Sequence, residues 1–498
     1  MKYSAINIGP IIHTLGMARR PRELWAASYL FSFLMKRIIE ALPKEKIISP
    51  ATFNKDEKYG IGLYPDRAFI KDYEISYEQT IKPVLDQFAK DMGLYSDYFN
   101  VMVVSGNYVK DSLAIKDLNH KLDCMELFNM TINRDVEDKL RNFMGLKYDS
   151  PLFVDALGSK KFIVESLGEI GAAELCEEEG WTQFAEDIKS DNRTIAEKAY
   201  NRLPKDKLKS YHKYICVVQA DGDNVGKTVS HSCLPDEKVK VISDAMLQFG
   251  KNAAKAIYDF GGLAIYAGGD DLLFIAPVVG KGHTTIFQLL EKLDYEAFQP
   301  VRTAIDDCKL KTEDEKNQEI HASLSFGVSI TYYKFPLYEA LESARNLLFV
   351  NAKNIKGKNA IVVDWRKHSG GAFYMELSGA DKDLKTAFDH VVTASAVDES
   401  VVSAVGHKIR ENEGLFKLWL GQEMASQRNA NVFKEFLEHN PEKAEKGKTS
   451  SDKYKDYSLE LLNQLFAVNK NDISKLIQTM YAMLRVAKFI NGEEVKDE

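Results

Sequence analysis

Two stretches of the chain run through the same succession of hydrophobic periodicities. The first begins with KYSAINI (2–8), a short β-rich run ended by Gly9-Pro10. Pro21 then opens RELWAASYLFSFLMKRIIEAL, where Leu24, Tyr29, Leu30, Phe33, Leu34 and Ile38 recur at helical spacing. Short strands are predicted at 46–48 and 66–70, a second helix at 76–92, and a last strand at 98–105 (YFNVMVVS). The order β-α-β-β-α-β is that of a ferredoxin-like plait.

From residue 213 the order returns. KYICVVQA reads as a buried strand and 236–259 as a helix. LAIYA and LLFIAPV are two strands separated by Gly268-Gly269-Asp270-Asp271. The segment 284–310 is helical, and HASLSFGVSIT (321–331) alternates as a strand does. A helix at 337–353 and a strand at 359–365 (NAIVVDW) finish the unit. The fold class expected is α+β, with two ferredoxin-like (βαββαβ) domains and helical domains between and after them. The boundaries fall at 1–105, 106–208, 209–371 and 372–498. The second segment is charged and mainly helical, and Pro204 with KDKLKS reads as a linker. The last segment reads as all-helical, interrupted by an exposed lysine-rich loop at 441–457. Two plaits of one order suggest a duplicated architecture, although residue identity between them is weak.

The length of 498 residues fits about three or four domains at roughly 100–200 residues each. With 45% hydrophobic and 28% charged residues, wholesale disorder is excluded. The net charge of -7 argues against a protein that coats nucleic acid on its own, so any contact with RNA or DNA should be local or shared with partner subunits. Five cysteines (Cys124, Cys176, Cys216, Cys233, Cys308) form no C-x-x-C pair, which argues against a zinc ribbon and a disulfide framework and fits a reducing cytosol. No run approaches the roughly 18 apolar residues of a membrane span, and the opening residues hold no clean apolar signal region. A cytoplasmic location is expected.

The candidate chemistry lies in the second plait. A turn that starts Gly268-Gly269 takes positive φ at little steric cost and leaves room for close approach of a triphosphate. Asp270 and Asp271 then sit at a hairpin tip, where two carboxylates repel each other unless a cation lies between them. KYICVVQA runs straight into Asp221-Gly222-Asp223-Asn224-Val225-Gly226-Lys227. In a β-α-β-β-α-β plait the first strand and the central hairpin are neighbours, so Asp221 should fall beside Asp270 and Asp271. Three such carboxylates suit two Mg²⁺ (or Mn²⁺) ions about 3.5–4 Å apart, which activate a 3′-hydroxyl and stabilise leaving pyrophosphate. The backbone N–H groups of Gly222, Asp223, Asn224 and Gly226 lead toward a helix and suit phosphates. DGDNVGKT is not a Walker A loop, because three residues separate its glycines where four are required. It fails as an EF-hand too, since Val225 takes a ligand position and Ser232 replaces the closing Glu. Lys353, Lys356 and Lys358 end a helix before the closing strand; Lys353 is the best placed to reach a triphosphate, though lysines also favour any helix C-terminus.

Together these segments resemble the large polymerase/cyclase subunit of type III CRISPR effector complexes, most closely the Cmr-type (III-B) version. The resemblance rests on DGDNVG (221–226), YAGGDDLLF (266–274), AK…GKN (352–359), ARRPRELWAASYL (18–30) after Ile-Gly-Pro (8–10), and GLYPDR (62–67). It spans both plaits, about two-thirds of the chain. It implies a palm that binds ATP with Mg²⁺ and makes adenylate second messengers when guide RNA in the complex pairs with target RNA. By the resemblance Asp221, Asp270 and Asp271 are catalytic metal ligands, and Gly268 and Gly269 touch nucleotide. The first plait, with no equivalent acids, is then a non-catalytic partner palm. Arg19, Arg20 and Arg22 there are candidates for RNA or a second nucleotide, or a solvated basic helix entrance. Many members open with a metal-dependent nuclease domain marked by a His-Asp pair. None of the ten histidines here precedes an Asp, so no DNase activity is expected, and the zinc-binding cysteine cluster of some relatives is absent.

The expected function is an ATP-using nucleotidyltransferase in an RNA-guided antiviral complex. The product is a cyclic oligoadenylate, or AMP joined to S-adenosylmethionine as co-substrate. The partners expected are other complex subunits, guide RNA and target RNA. Two alternatives stand beside it: a catalytically silent scaffold that organises RNA and subunits, and a free-standing diguanylate-type cyclase.

Overall fold

The computed structural model describes residues 1–50, 61–127, 134–144, 152, 164, 166–176, 182–189, 193–203, 207–312, 317–355, 357–378, 382–395, 408–414, 450–468 and 472–492. Strands β1 (Lys2–Gly9), β2 (Ile47–Ser49), β3 (Arg67–Lys71) and β4 (Asn100–Asn107) form an antiparallel sheet in the order β2-β3-β1-β4. This is the strand order of a ferredoxin-like plait. β1 is central and covered on both faces, so its apolar run is nearly continuous instead of alternating. The helix Pro21–Glu40 starts on a proline, which forfeits only an N–H that a first helical turn leaves unpaired anyway. Trp25, Leu30 and Leu34 along it are buried. A short helix at Ile11–Met17 escaped the periodicity reading because only Thr14 and Met17 in it are buried, too few to mark a face.

The second sheet has six strands: β5 (Tyr214–Asp223), β6 (Leu263–Gly268), β7 (Asp271–Pro277), β8 (Ser323–Tyr332), β9 (Ala360–Arg366) and β10 (Ala372–Ser378), in the order β10-β9-β8-β5-β7-β6. β8-β5-β7-β6 is the plait itself, with β5 antiparallel to both neighbours. β9 adds parallel to β8, and β10 adds antiparallel to β9. The expected boundary at 371/372 therefore cuts through a hairpin. AFYMELS carries the period-two pattern of a half-buried strand, with Met375 and Leu377 inward and Tyr374 outward. Two further expectations need correction. The helical stretch 284–310 breaks into Ile286–Lys292, a π-turn at Leu293–Ala297, and Gln299–Asp306, where Pro300 restarts the helix. Of the loop expected at 441–457, residues 441–449 lie outside the described residues. Residues 450–457 open the helix Ser450–Val468, because Tyr454, Ser458, Leu461 and Leu465 bury one stripe beneath the lysines.

The described helices of 106–208 pack on both plaits. Asp111, at the start of the helix Asp111–Glu126, accepts from Tyr3 of β1 (2.7 Å) and pairs with Lys71 of β3 (2.7 Å). The same lysine reaches Asp236 at 3.1 Å, the first residue of the helix Asp236–Phe260. On the other side, buried Glu174 accepts from Tyr211 (2.9 Å) and lies 3.1 Å from His212, with His283 against it as well. The plaits themselves touch through Gly62, whose carbonyl accepts the Ala267 N–H of β6 at 3.2 Å. A Cβ on Gly62 would lie 2.8 Å from that of Ser32, so the GLYPDR turn is wedged between the first long helix and β6. Among the described residues no helix is long and apolar enough to cross a membrane.

Burial works to raise the carboxyl pKa of Glu174, but hydrogen bonds from His212 and Tyr211 and the histidine charges outweigh it and hold the group below its ordinary 4.5. A carboxyl depressed in the folded state stabilises above its unfolded pKa, and that contribution is lost as pH falls through the folded value. Glu174→Gln should thus be less stable than the parent at neutral pH. The gap should close as pH drops below about 4.5, as read by urea unfolding across a pH series.

Candidate active site

The site forms because β5 lies between β7 and β8. The β5–β7 register runs to Ala220 opposite Leu272, and the β5–β8 register continues through Asp221–Ser325 to Asp223–Ser323. Asp221 therefore emerges beside the β6–β7 turn. Gly268 pairs with Asp271 across that turn, and Gly269 takes a left-handed φ of 67°. Gly222 locks the two together. Its N–H donates to the Asp270 carbonyl at 3.2 Å, and an added Cβ would sit 2.7 Å from the Asp270 Cβ. Gly268 is enclosed in the same way by the Tyr266 hydroxyl.

Asp221, Asp270 and Asp271 are thus brought together at one sheet end. Burial and then the charge of Asp221 push Asp270 up to about 7. Burial, the charges of Asp221 and Asp270, and a hydrogen bond shared with Asp221 push Asp271 well above the carboxylate range. The counter-charge comes from Lys353, which follows the helical stretch Leu337–Asn351 in a 3-10 turn, Ala352–Asn354. Its Nζ donates to the Asp221 and Gly222 carbonyls (2.9 and 3.0 Å) and pairs with Asp221 and Asp223, the latter at 2.8 Å. Burial works against the charged lysine, and the two aspartates outweigh it, so its pKa is raised. Lys353 was expected to reach phosphate; here it is anchored to the strand end.

Asp223 is fully buried. It accepts from the Ser323 and Ser325 hydroxyls (both 2.8 Å) and the Asn359 N–H (2.9 Å) in addition to Lys353. Its side chain, and the N–H of Gly222, serve the fold in this structure. Asn224 takes a left-handed φ of 65°, donates to the His321 carbonyl at 2.9 Å, and precedes the short helix Val225–Val229. Gly226 is exposed with open space around it. Burial and repulsion from Lys353 and Lys227 lower the Lys358 pKa against the pull of Asp223. Lys356 lies outside the described residues. Arg19 and Arg20 are exposed, away from the acids at the mouth of the first long helix.

Three contributors were missed by sequence reasoning. Ser323, Ser325 and Asn359 hold Asp223, and the sequence carried no clear signal, because Ser329 and Thr331 continue the same alternation along the strand. A cleft of about 180 Å³, which Asp271 but neither Asp221 nor Asp270 lines, lies against the first plait, with Asp271 and Tyr266 on one side and Tyr64, Asp66 and Ile12 on the other. Among the described residues no three His, Cys, Asp or Glu side chains, Asp221, Asp270 and Asp271 included, are arranged so that they would hold a metal ion as they stand.

Two family models match the chain: the second palm domain of Cas10/Cmr2 over residues 214–362, and the N-terminal domain of the CRISPR-associated protein Cmr2 over 3–73. Residues 214–362 are thus similar to the second palm domain of Cas10/Cmr2. The Cmr subunit Cmr2 of Pyrococcus furiosus is 30% identical over 196 residues, which cover 34% of this chain and 20% of that protein. The match thus spans about a fifth of that relative's length. In fold, this chain superimposes on a chain of the type III-B Cmr-beta complex in its apo state, with a TM-score of 0.54 at 11% identity over 90% of this chain and 78% of the other. The same complex bound to cognate target RNA gives 0.53 at 11% identity, with 90% and 80% covered. A chain of a Csm1-Csm4 cassette solved with AMPPNP gives 0.50 at 12% identity, with 98% and 69% covered.

The buried pairing of Lys353 with Asp223 sets a measurable cost. Asp223→Ala leaves an ammonium short of one partner in a closed site and should destabilise by about 3–5 kcal/mol. Ser325→Ala removes one hydrogen bond and should cost about 1–2 kcal/mol. Guanidinium unfolding of both variants checks the order.

Proposed function

We propose that this chain is an ATP-using nucleotidyltransferase subunit of an RNA-guided type III CRISPR complex, making an adenylate second messenger. The observation that carries the reading is the convergence of Asp221, Asp270 and Asp271 on one sheet end, tied by the Gly222–Asp270 contact. Three acids beside Asp223 share the Lys353 ammonium, and burial together with the charge of Asp221 raises the pKa of Asp270 and Asp271. Such a donor set suits hard divalent cations, and Asp221, Asp270 and Asp271 are the residues that would hold Mg²⁺ or Mn²⁺. When bound, those ions would polarise the phosphates and favour ionisation of an attacking hydroxyl.

The protein supplies position and charge and needs no nucleophile of its own. Gly268 and Gly269 leave the turn open to nucleotide, and exposed Gly226 starts the turn of backbone that would face phosphate. Lys353 acts as a positioning residue: it fixes the end of β5 so that Asp221 faces the turn. The acceptor nucleotide would occupy the cleft between the plaits. Neighbours of like fold were solved with target RNA and with AMPPNP, which supports a complex that holds RNA and a palm that takes ATP. The product is a cyclic oligoadenylate or an AMP conjugate of S-adenosylmethionine.

Asp270→Ala with Asp271→Ala should abolish product in the assembled, target-bound complex while leaving assembly intact. Mass spectrometry of products from ATP, with and without S-adenosylmethionine, identifies the acceptor, and unchanged synthesis in the double variant refutes the site. One observation favours the silent scaffold instead: Lys353 already satisfies Asp221. If that pairing is permanent, calorimetry will find no Mg²⁺-dependent ATP binding. In the enzymatic reading it will find binding that Lys353→Met weakens about tenfold, the scale of one charge-assisted contact. Replacing ATP by GTP separates either from a diguanylate-type cyclase.

A further inference from the structure

A groove of about 810 Å³ opens where β10 meets the helix Ile473–Ile490. It lies at the opposite end of β9 from the acids: Asn359, just before β9, bonds Asp223, whereas Lys367, just after it, lines the groove. Seven residues of strand put the two places roughly 20 Å apart.

The groove wall holds four cations, Lys367, Arg410, Lys475 and Arg485. Among the described residues its only carboxylate is Glu376. That acid is already engaged, by Lys475 at 2.8 Å and by the Tyr374 hydroxyl at 2.6 Å. The Arg485 Nε is buried with no hydrogen-bond partner, and its guanidinium lies 5.7 Å from the Phe373 ring and 5.9 Å from that of Tyr481. Arg410 lies 5.7 Å from the Tyr481 ring, with its Nη1 3.5 Å from the hydroxyl. Burial and the charge of Arg485 hold Lys367 below the usual lysine range. In a chain of net charge -7, the Arg410 and Arg485 guanidiniums are here packed on aromatic faces. Ring contact stabilises each guanidinium, and a bound anion would add the hydrogen-bond partner that the buried Arg485 Nε lacks. Tyr374, 37% exposed, adds an open ring at the rim.

We propose that this groove binds a single-stranded nucleic acid segment, with its phosphates against Lys367, Arg410 and Arg485 and a base on Tyr374. Guanidinium groups seated on rings keep their N–H edges free for phosphate oxygens. Rings beside cations are what single strands use, because every base offers a face to stack while the backbone needs neutralising. The aromatic content favours a strand over an acidic protein segment, which would gain little from it. The inference stands apart from the nucleotidyltransferase reading, since none of its residues belongs to the acid site.

The test is fluorescence anisotropy of the full chain with labelled oligouridylate of about ten nucleotides, within the length range such grooves hold. Lys367→Glu with Arg410→Glu should weaken binding by about tenfold or more and make the dependence of affinity on salt shallower by about two charges. Tyr374→Ala should weaken it about fivefold, the scale of one lost stacking contact, whereas Tyr374→Phe, which keeps the ring and gives up the bond to Glu376, should not. Asp270→Asn with Asp271→Asn should leave binding unchanged, separating this groove from the acid site. Equal affinity of the parent, the charge-reversed variant and Tyr374→Ala overturns the proposal. So does tighter binding of labelled polyglutamate than of oligouridylate, which would make the groove a dock for acidic protein.

Discussion

The structure turns on how much negative charge one β-strand can carry at its end. β5 presents Asp221 and Asp223 two residues apart, on one face of the sheet, and the β6–β7 turn adds Asp270 and Asp271 alongside. In a partly dry setting such a group would repel itself apart. It holds because Lys353 is driven into the middle, donating to two carbonyls and pairing with two aspartates. The serines of β8 and the Asn359 N–H saturate the deepest acid. Much of the second domain reads as support for this: the strand order places the acids, the glycines let the turn close, and the helical stretch before β9 delivers the lysine.

The first plait has a different task. Its strand order is the same, but its β1 ends in Gly9-Pro10 with no acid there, and its contribution to the site is a wall. The turn at 62–66 docks on β6, just ahead of the paired glycines, and Tyr64 and Asp66 close the far side of the cleft. Lys71, shared between Asp111 and Asp236, ties both plaits to the helix that follows the first. A duplicated fold has been divided into one half that holds charge and one half that bounds the space in front of it.

Much of this was legible in the sequence. Both plaits could be read from periodicity, because their helices have clear apolar faces and their central strands are nearly all apolar. The adjacency of Asp221 to Asp270 and Asp271 followed from strand order alone. What stayed hidden depended on tertiary contact. β10 was missed because a strand with only Met375 and Leu377 fully buried looks like a weakly amphipathic stretch of any kind. The lysine-rich start of the helix Ser450–Val468 looked like a loop because polar residues dominate until Tyr454 and Ser458 find a neighbouring helix. Asp223 was read only for its backbone N–H, as part of a phosphate-facing turn, because it sits between Gly222 and Asn224. No local signal shows that two serines a hundred residues away fill its oxygens.

The contact between Gly222 and Asp270 has a mechanical side. With no gap between the end of β5 and the β6–β7 turn, and with the lysine bolted to that same strand end, the acid-bearing surface is one rigid plate. Moving any one of its members alone would break the Gly222–Asp270 contact or a Lys353 hydrogen bond. A signal that reaches this plate would have to act on its surroundings, by tilting the opposing wall at 62–66 or by changing the width of the gap in front of it. The hinge of any such motion would then lie between the two sheets, outside either one.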